Sequence, residues 1–89
     1  MTKKISELPL PKIEGGQVFI ELLRVWIVDG LPTYVITGQL SKDPAQWGLV
    51  LADVIRHLGR AYEVNGASLD HVIDRIKSGL DAEWNNPTK

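Results

Sequence analysis

Apolar and polar positions along this chain change their period twice, and the changes mark out the elements. Val18 to Val28 is dense in β-branched and aromatic residues and predicts a strand. Asp29-Gly30 follows, a two-residue hairpin signal, because a type I′ turn needs positive φ at both central residues. Leu31 to Gln39 then returns as the second strand. Pairing about that turn sets Val28 opposite Leu31, Trp26 opposite Thr33, Arg24 opposite Val35 and Leu22 opposite Thr37 on one face. The other face pairs Ile27 with Pro32, Val25 with Tyr34 and Leu23 with Ile36, and Phe19 continues it. The second face is the more apolar and is assigned to the helices; a one-residue slip would exchange the two.

The period then becomes helical. Asp43-Pro44-Ala45-Gln46 predicts a helix start: Asp43 caps the amide of the third helical residue, Pro44 suits the first position and Gln46 reaches back. Trp47, Leu51, Val54, Leu58, Ala61 and Tyr62 share one side at helical spacing, with Asp53, Arg56, Arg60 and Glu63 opposite. Asn65-Gly66 suits a left-handed stop. Ser68 caps a second helix with Asp70 near its positive end, and Leu69, Val72, Ile73, Ile76, Leu80 and Trp84 form its apolar stripe. Asn85-Asn86-Pro87 ends it, and the short link makes the helices antiparallel neighbours.

Residues 1–16 read as an extended arm. Leu8-Pro9-Leu10-Pro11 fixes φ twice and disfavours a central strand, and Gly15-Gly16 frees the backbone. The arm either covers apolar surface or recognises a partner. The expected architecture is therefore α+β: the arm over 1–16, then one domain over 17–89 with a β-hairpin and two antiparallel helices packed on one sheet face, ββαα in order.

Composition narrows the function classes. The 89 residues fit one domain, and a chain this short buries only about 60–65% of its unfolded surface. No cysteine is present, which removes disulfides, thiolate metal sites and thiol nucleophiles. The net charge is −1 with Lys and Arg interleaved with acids, against the basic excess of a nucleic-acid binder. Lys3-Lys4 precedes no apolar run, so no secretory signal is expected, and Val25 to Val28 is far too short to span a membrane. A cytoplasmic location is the default expectation.

Few residues suggest chemistry. Asp53 and His57 lie four apart on the first helix, as do Arg56 and Arg60, and the four make a polar cluster where an anion or carboxylate could bind. A solvated face with intrahelical ion pairs explains the same residues. His57 and His71 match no metal-ligand spacing, none of the serines sits in a nucleophile elbow, and Gly15-Gly16 lacks the lysine and helix of a phosphate loop. No catalytic residue, metal site or cofactor is expected. Gly48, Ala52 and Gly59 line one flank of the first helix, where missing side chains let another backbone approach, within the monomer or across a subunit boundary.

Three segments carry a resemblance: Leu22-Leu23-Arg24-Val25-Trp26-Ile27-Val28-Asp29-Gly30, Asp43-Pro44-Ala45-Gln46-Trp47-Gly48-Leu49-Val50-Leu51-Ala52-Asp53, and Asp81-Ala82-Glu83-Trp84 with Pro87-Thr88. With these the chain resembles a small bacterial family catalogued as a domain of unknown function, number 5076, over nearly its whole length. The resemblance implies a stand-alone bacterial protein of this size and brings no activity, substrate or catalytic residue.

A two-stranded sheet is marginal alone and leaves two unpaired edges. The first sheet face still carries Ile20, Leu22, Trp26, Val28 and Val35. A second copy is expected to cover it, by edge pairing or by face packing, as an isologous homodimer. The leading functional expectation is a non-enzymatic homodimeric module that binds another protein; the alternative is a small-molecule or anion-binding domain, possibly catalytic, on the Arg56–Arg60 face.

Overall fold

The computed structural model describes residues 5–38 and 42–88. The first four residues of the expected arm, with Lys3 and Lys4, lie outside the described residues, as does Gln39 at the end of the expected second strand. The order of elements is β1 (Leu23–Val28), β2 (Leu31–Ile36), α1 (Ala45–Glu63) and α2 (Leu69–Asn85). This is the ββαα order of an α+β chain. Two compact units divide it, one ending at Thr37 and the other beginning at Gly38.

The first unit holds the arm and the hairpin. Asp29 at φ 50° and Gly30 at φ 83° make the turn that the Asp-Gly pair demands. Six of the seven expected pairs form the ladder, from Val28 with Leu31 to Leu23 with Ile36. The Thr37 amide also donates to the Leu22 carbonyl at 3.0 Å, which makes Leu22–Thr37 a hydrogen-bonded pair. Alternation along an antiparallel ladder then fixes the rest. Arg24–Val35, Trp26–Thr33 and Val28–Leu31 exchange bonds. At Leu23–Ile36, Val25–Tyr34 and Ile27–Pro32 the backbone groups point outward. Pro32 therefore occupies a position where its missing N–H costs the ladder nothing. The first strand is shorter than the expected Val18–Val28, because residues 18–21 lie beyond the reach of a β2 that ends at Ile36.

The arm belongs with β1. Residues 6–11 line a groove with Glu21 and Leu23–Trp26. Ile5 and Ser6 line a second groove that continues to Asp29. Both grooves are lined by β1 residues and by none of β2, so the arm lies on the β1 side of the hairpin. Arg24 pairs with Glu21, whose hydrogen bond and charge raise the Arg24 pKa, with a smaller contribution from Glu7 on the arm. Trp26 and Leu22 are half-buried in this setting.

The second unit is a helix pair whose ends are closed by local sequence. The Asp43 carboxylate accepts from the amide of Ala45, the first residue of α1, at 3.0 Å, while the Gln46 amide donates to the Asp43 carbonyl at 3.1 Å. Pro44 already has helical angles, φ −58° and ψ −19°. At the far end Gly66 takes φ 97°, its amide donates to Glu63, and the Ala67 amide donates to the Tyr62 carbonyl. These two bonds form a Schellman stop. The Ser68 hydroxyl accepts from the His71 amide at 3.4 Å and starts α2.

The helices meet at Gly59. A Cβ built there would lie 2.8 Å from Leu69 Cδ1 and 3.0 Å from Ile73 Cγ1. Gly59 and Val72 are the buried residues among those described. Ala52 and Ile55, seven and four residues before Gly59 on the same flank, are half-buried, as are Leu69, Ile73 and Ile76. The small-residue flank is thus the intramolecular contact. The stripe expected from periodicity lies beside it, and Leu51, Val54, Leu58 and Tyr62 remain exposed. Gly48, on the same flank as Gly59, has open space around it. Gly48→Ala should therefore raise stability by about 1 kcal/mol through helix propensity alone. Gly59→Val should lower it by about 1–3 kcal/mol by overpacking against Ile73. Urea unfolding of the two variants checks both signs.

Candidate functional site

The polar cluster of α1 forms, though not as a convergent pocket. Arg56 Nη1 lies 3.4 Å from Asp53 Oδ1, and both side chains are more than half exposed. His57 does not pair with the Asp53 carboxylate. Its Nδ1 sits 2.7 Å from the Asp53 backbone carbonyl, so the ring is anchored to its own helix and Nδ1 donates. Arg60 is exposed and makes no ion pair among the described residues. Exposed intrahelical pairs of this kind contribute at most a few tenths of a kcal/mol, roughly 0.3–0.5.

What the cluster borders is more distinctive than the cluster itself. Val50, Val54 and Leu58 floor an open, shallow depression of about 390 Å³, with Asp53 and His57 on its rim. Periodicity explains the arrangement. Residues 50, 54 and 58 follow one ridge of the helix, and residues 53 and 57 follow the next. Apolar side chains run over more than half of the α1 circumference, and α2 takes only the Gly59 flank. An apolar strip beside a polar rim is the anatomy of a contact surface.

The face expected to take a second copy is likewise open at Ile20, Val28 and Val35, while Leu22 and Trp26 are half-buried. Among the described residues no group of three His, Cys, Asp or Glu side chains could hold a metal ion, and none of the buried residues is polar or charged. No helix is long and apolar enough to cross a membrane among those residues.

Comparison with known proteins identifies the family. Residues 7–88 match the Domain of unknown function (DUF5076). The chain belongs to this family. A solved structure described as "a putative pyruvate dehydrogenase from the photosynthetic bacterium Rhodopseudomonas palustrus CGA009" is similar to it, with 32% identity and a TM-score of 0.74, covering 99% of this chain and 92% of that one. Among curated proteins, none matches.

Sequence reasoning missed a second polar device, at the end of α2. The Thr88 amide donates to Glu83 Oε2 at 2.7 Å and the Thr88 hydroxyl to Oε1 at 2.6 Å. Both bonds favour the charged carboxylate and hold its pKa below the ordinary glutamate value. The only signal was a threonine five residues after a helical glutamate, just beyond the Pro87 stop. A depressed carboxylate stabilises the form in which it is charged. The clasp is therefore complete above the ordinary glutamate range and is lost as pH falls through the lowered value. Thr88→Ala removes the hydroxyl bond and keeps the amide bond, so Glu83 should titrate higher than in the wild type while staying below the ordinary range, as followed by the NMR shift of its carboxyl carbon.

Proposed function

We propose that this protein is a non-enzymatic interaction module that works as a homodimer and presents the α1 surface to another protein. The observation that carries the reading is the amount of apolar surface each unit leaves uncovered. In the hairpin unit Ile20, Val28 and Val35 are 73%, 51% and 56% exposed, and in the helix unit Leu51, Val54 and Leu58 are 47%, 44% and 44% exposed.

Two surfaces carry these exposed side chains. The hairpin face of Ile20, Leu22, Trp26, Val28 and Val35 belongs to the homodimer in this reading. The α1 strip of Val50, Val54 and Leu58, with Asp53 and His57 on its rim, takes the second protein. Arg56 and Arg60 extend the polar border of that strip. An anion-binding role for the same face draws on Arg60, which no acid neutralises among the described residues. Against it, Arg56 is already engaged by Asp53 and neither guanidinium is drawn into a hollow.

The description of the Rhodopseudomonas relative does not set the reading for this chain.

Size-exclusion chromatography with light scattering tests the homodimer. The wild type should have the mass of two chains, and Trp26→Glu, which sets a charge on the apolar face, should fall to the mass of one. An unchanged mass for a folded Trp26→Glu variant would remove that face from the interface.

A further inference from the structure

The two outer edges of the hairpin are not equivalent. The outward-pointing backbone groups of β1 belong to Leu23, Val25 and Ile27, and the arm lies on that side of the hairpin. Charges also flank that edge: Glu21, Arg24 and, from the arm, Glu7. The outward-pointing groups of β2 belong to Pro32, Tyr34 and Ile36, by the alternation that Thr37–Leu22 fixes. Tyr34 and Ile36 are 60% and 58% exposed.

Soluble proteins protect such an edge with charges, bulges or a covering segment. The β2 edge carries neither charges nor a bulge among the described residues. No charged residue occurs from Leu31 to Gly38. The register runs unbroken, so no bulge twists the edge away. Pro32 removes one donor at the turn end and leaves the N–H groups of Tyr34 and Ile36 available.

From this asymmetry we infer that the β2 edge is the docking edge for a second copy of this chain, whose own β2 pairs with it antiparallel to make a four-stranded sheet. The inference rests on the homodimer reading and places the contact at the β2 edge instead of on the Trp26 face, so a two-chain mass for Trp26→Glu agrees with it. A second copy suits the edge for two reasons. Two-fold symmetry lays identical strands antiparallel, so the Tyr34 and Ile36 amides of each copy meet outward carbonyls of the other. A strand without charge also meets its own image without like-charge repulsion, the penalty that usually blocks self-pairing.

Amide hydrogen exchange by NMR, run at a concentration where the mass has been measured by light scattering, tests this on the unaltered chain. The Tyr34 and Ile36 amides should be protected to the same degree as those of Thr33 and Val35, which bond to β1. Tyr34→Pro removes an outward donor without touching the β1 ladder, and its mass should fall about twofold, to one chain. A two-chain mass with freely exchanging Tyr34 and Ile36 amides overturns the edge and leaves the homodimer standing through another surface. A two-chain mass with protection at Val25 and Ile27 instead moves the contact to the β1 edge and likewise overturns it. A one-chain mass for the wild type overturns both the edge and the homodimer.

Discussion

Each unit of this protein is built from two elements, and two elements cannot hide their own apolar faces. A two-stranded sheet has two faces and two edges, and a helix pair has one shared seam. The described residues that become buried, Gly59 and Val72, lie on that seam. Everything else about the structure follows from how little interior this supplies. The helices come close because a glycine lets them, with Leu69 and Ile73 occupying the space a side chain would fill. The hairpin takes its register from the Asp29-Gly30 turn. The apolar residues left over become surface, and their arrangement is what an interaction module would use.

Much of this was legible in the sequence, and the legible parts are those with local causes. Asp29-Gly30 sets a register without help from anything distant. Asn65-Gly66 and Ser68 close and open helices through bonds that span at most five residues. The less legible parts depend on choices between similar surfaces. Apolar residues cover more than half of α1, and periodicity alone favoured the stripe of Leu51, Val54 and Leu58 over the narrower flank of Ala52, Ile55 and Gly59. Close approach decided for the flank, because a glycine allows shorter separation than leucines do. The length of β1 depended on where its partner ended. The Thr88 clasp on Glu83 reverses the chain after a proline, a geometry that no periodic pattern announces.

The candidate site shows the same division. Helical spacing brought Asp53, Arg56, His57 and Arg60 onto adjoining ridges, and they do border one another. Spacing does not reveal that His57 turns to a backbone carbonyl, which leaves the carboxylate to Arg56. Nor does it show that the neighbouring ridge of Val50, Val54 and Leu58 stays open. The polar groups thus read as the margin of an apolar contact surface. The β2 edge completes the picture: uncharged, unbulged and exposed, on a hairpin whose arm lies on the β1 side.

The central claim is that burial missing from one chain is supplied by another copy, so folding and association are linked. Thermal unfolding followed by circular dichroism across a hundredfold range of protein concentration, a roughly chosen span, tests this directly. The account predicts a midpoint that rises steadily with concentration, as mass action requires of a native state made of two chains. A midpoint that stays constant across the range, together with reversible unfolding, would contradict it.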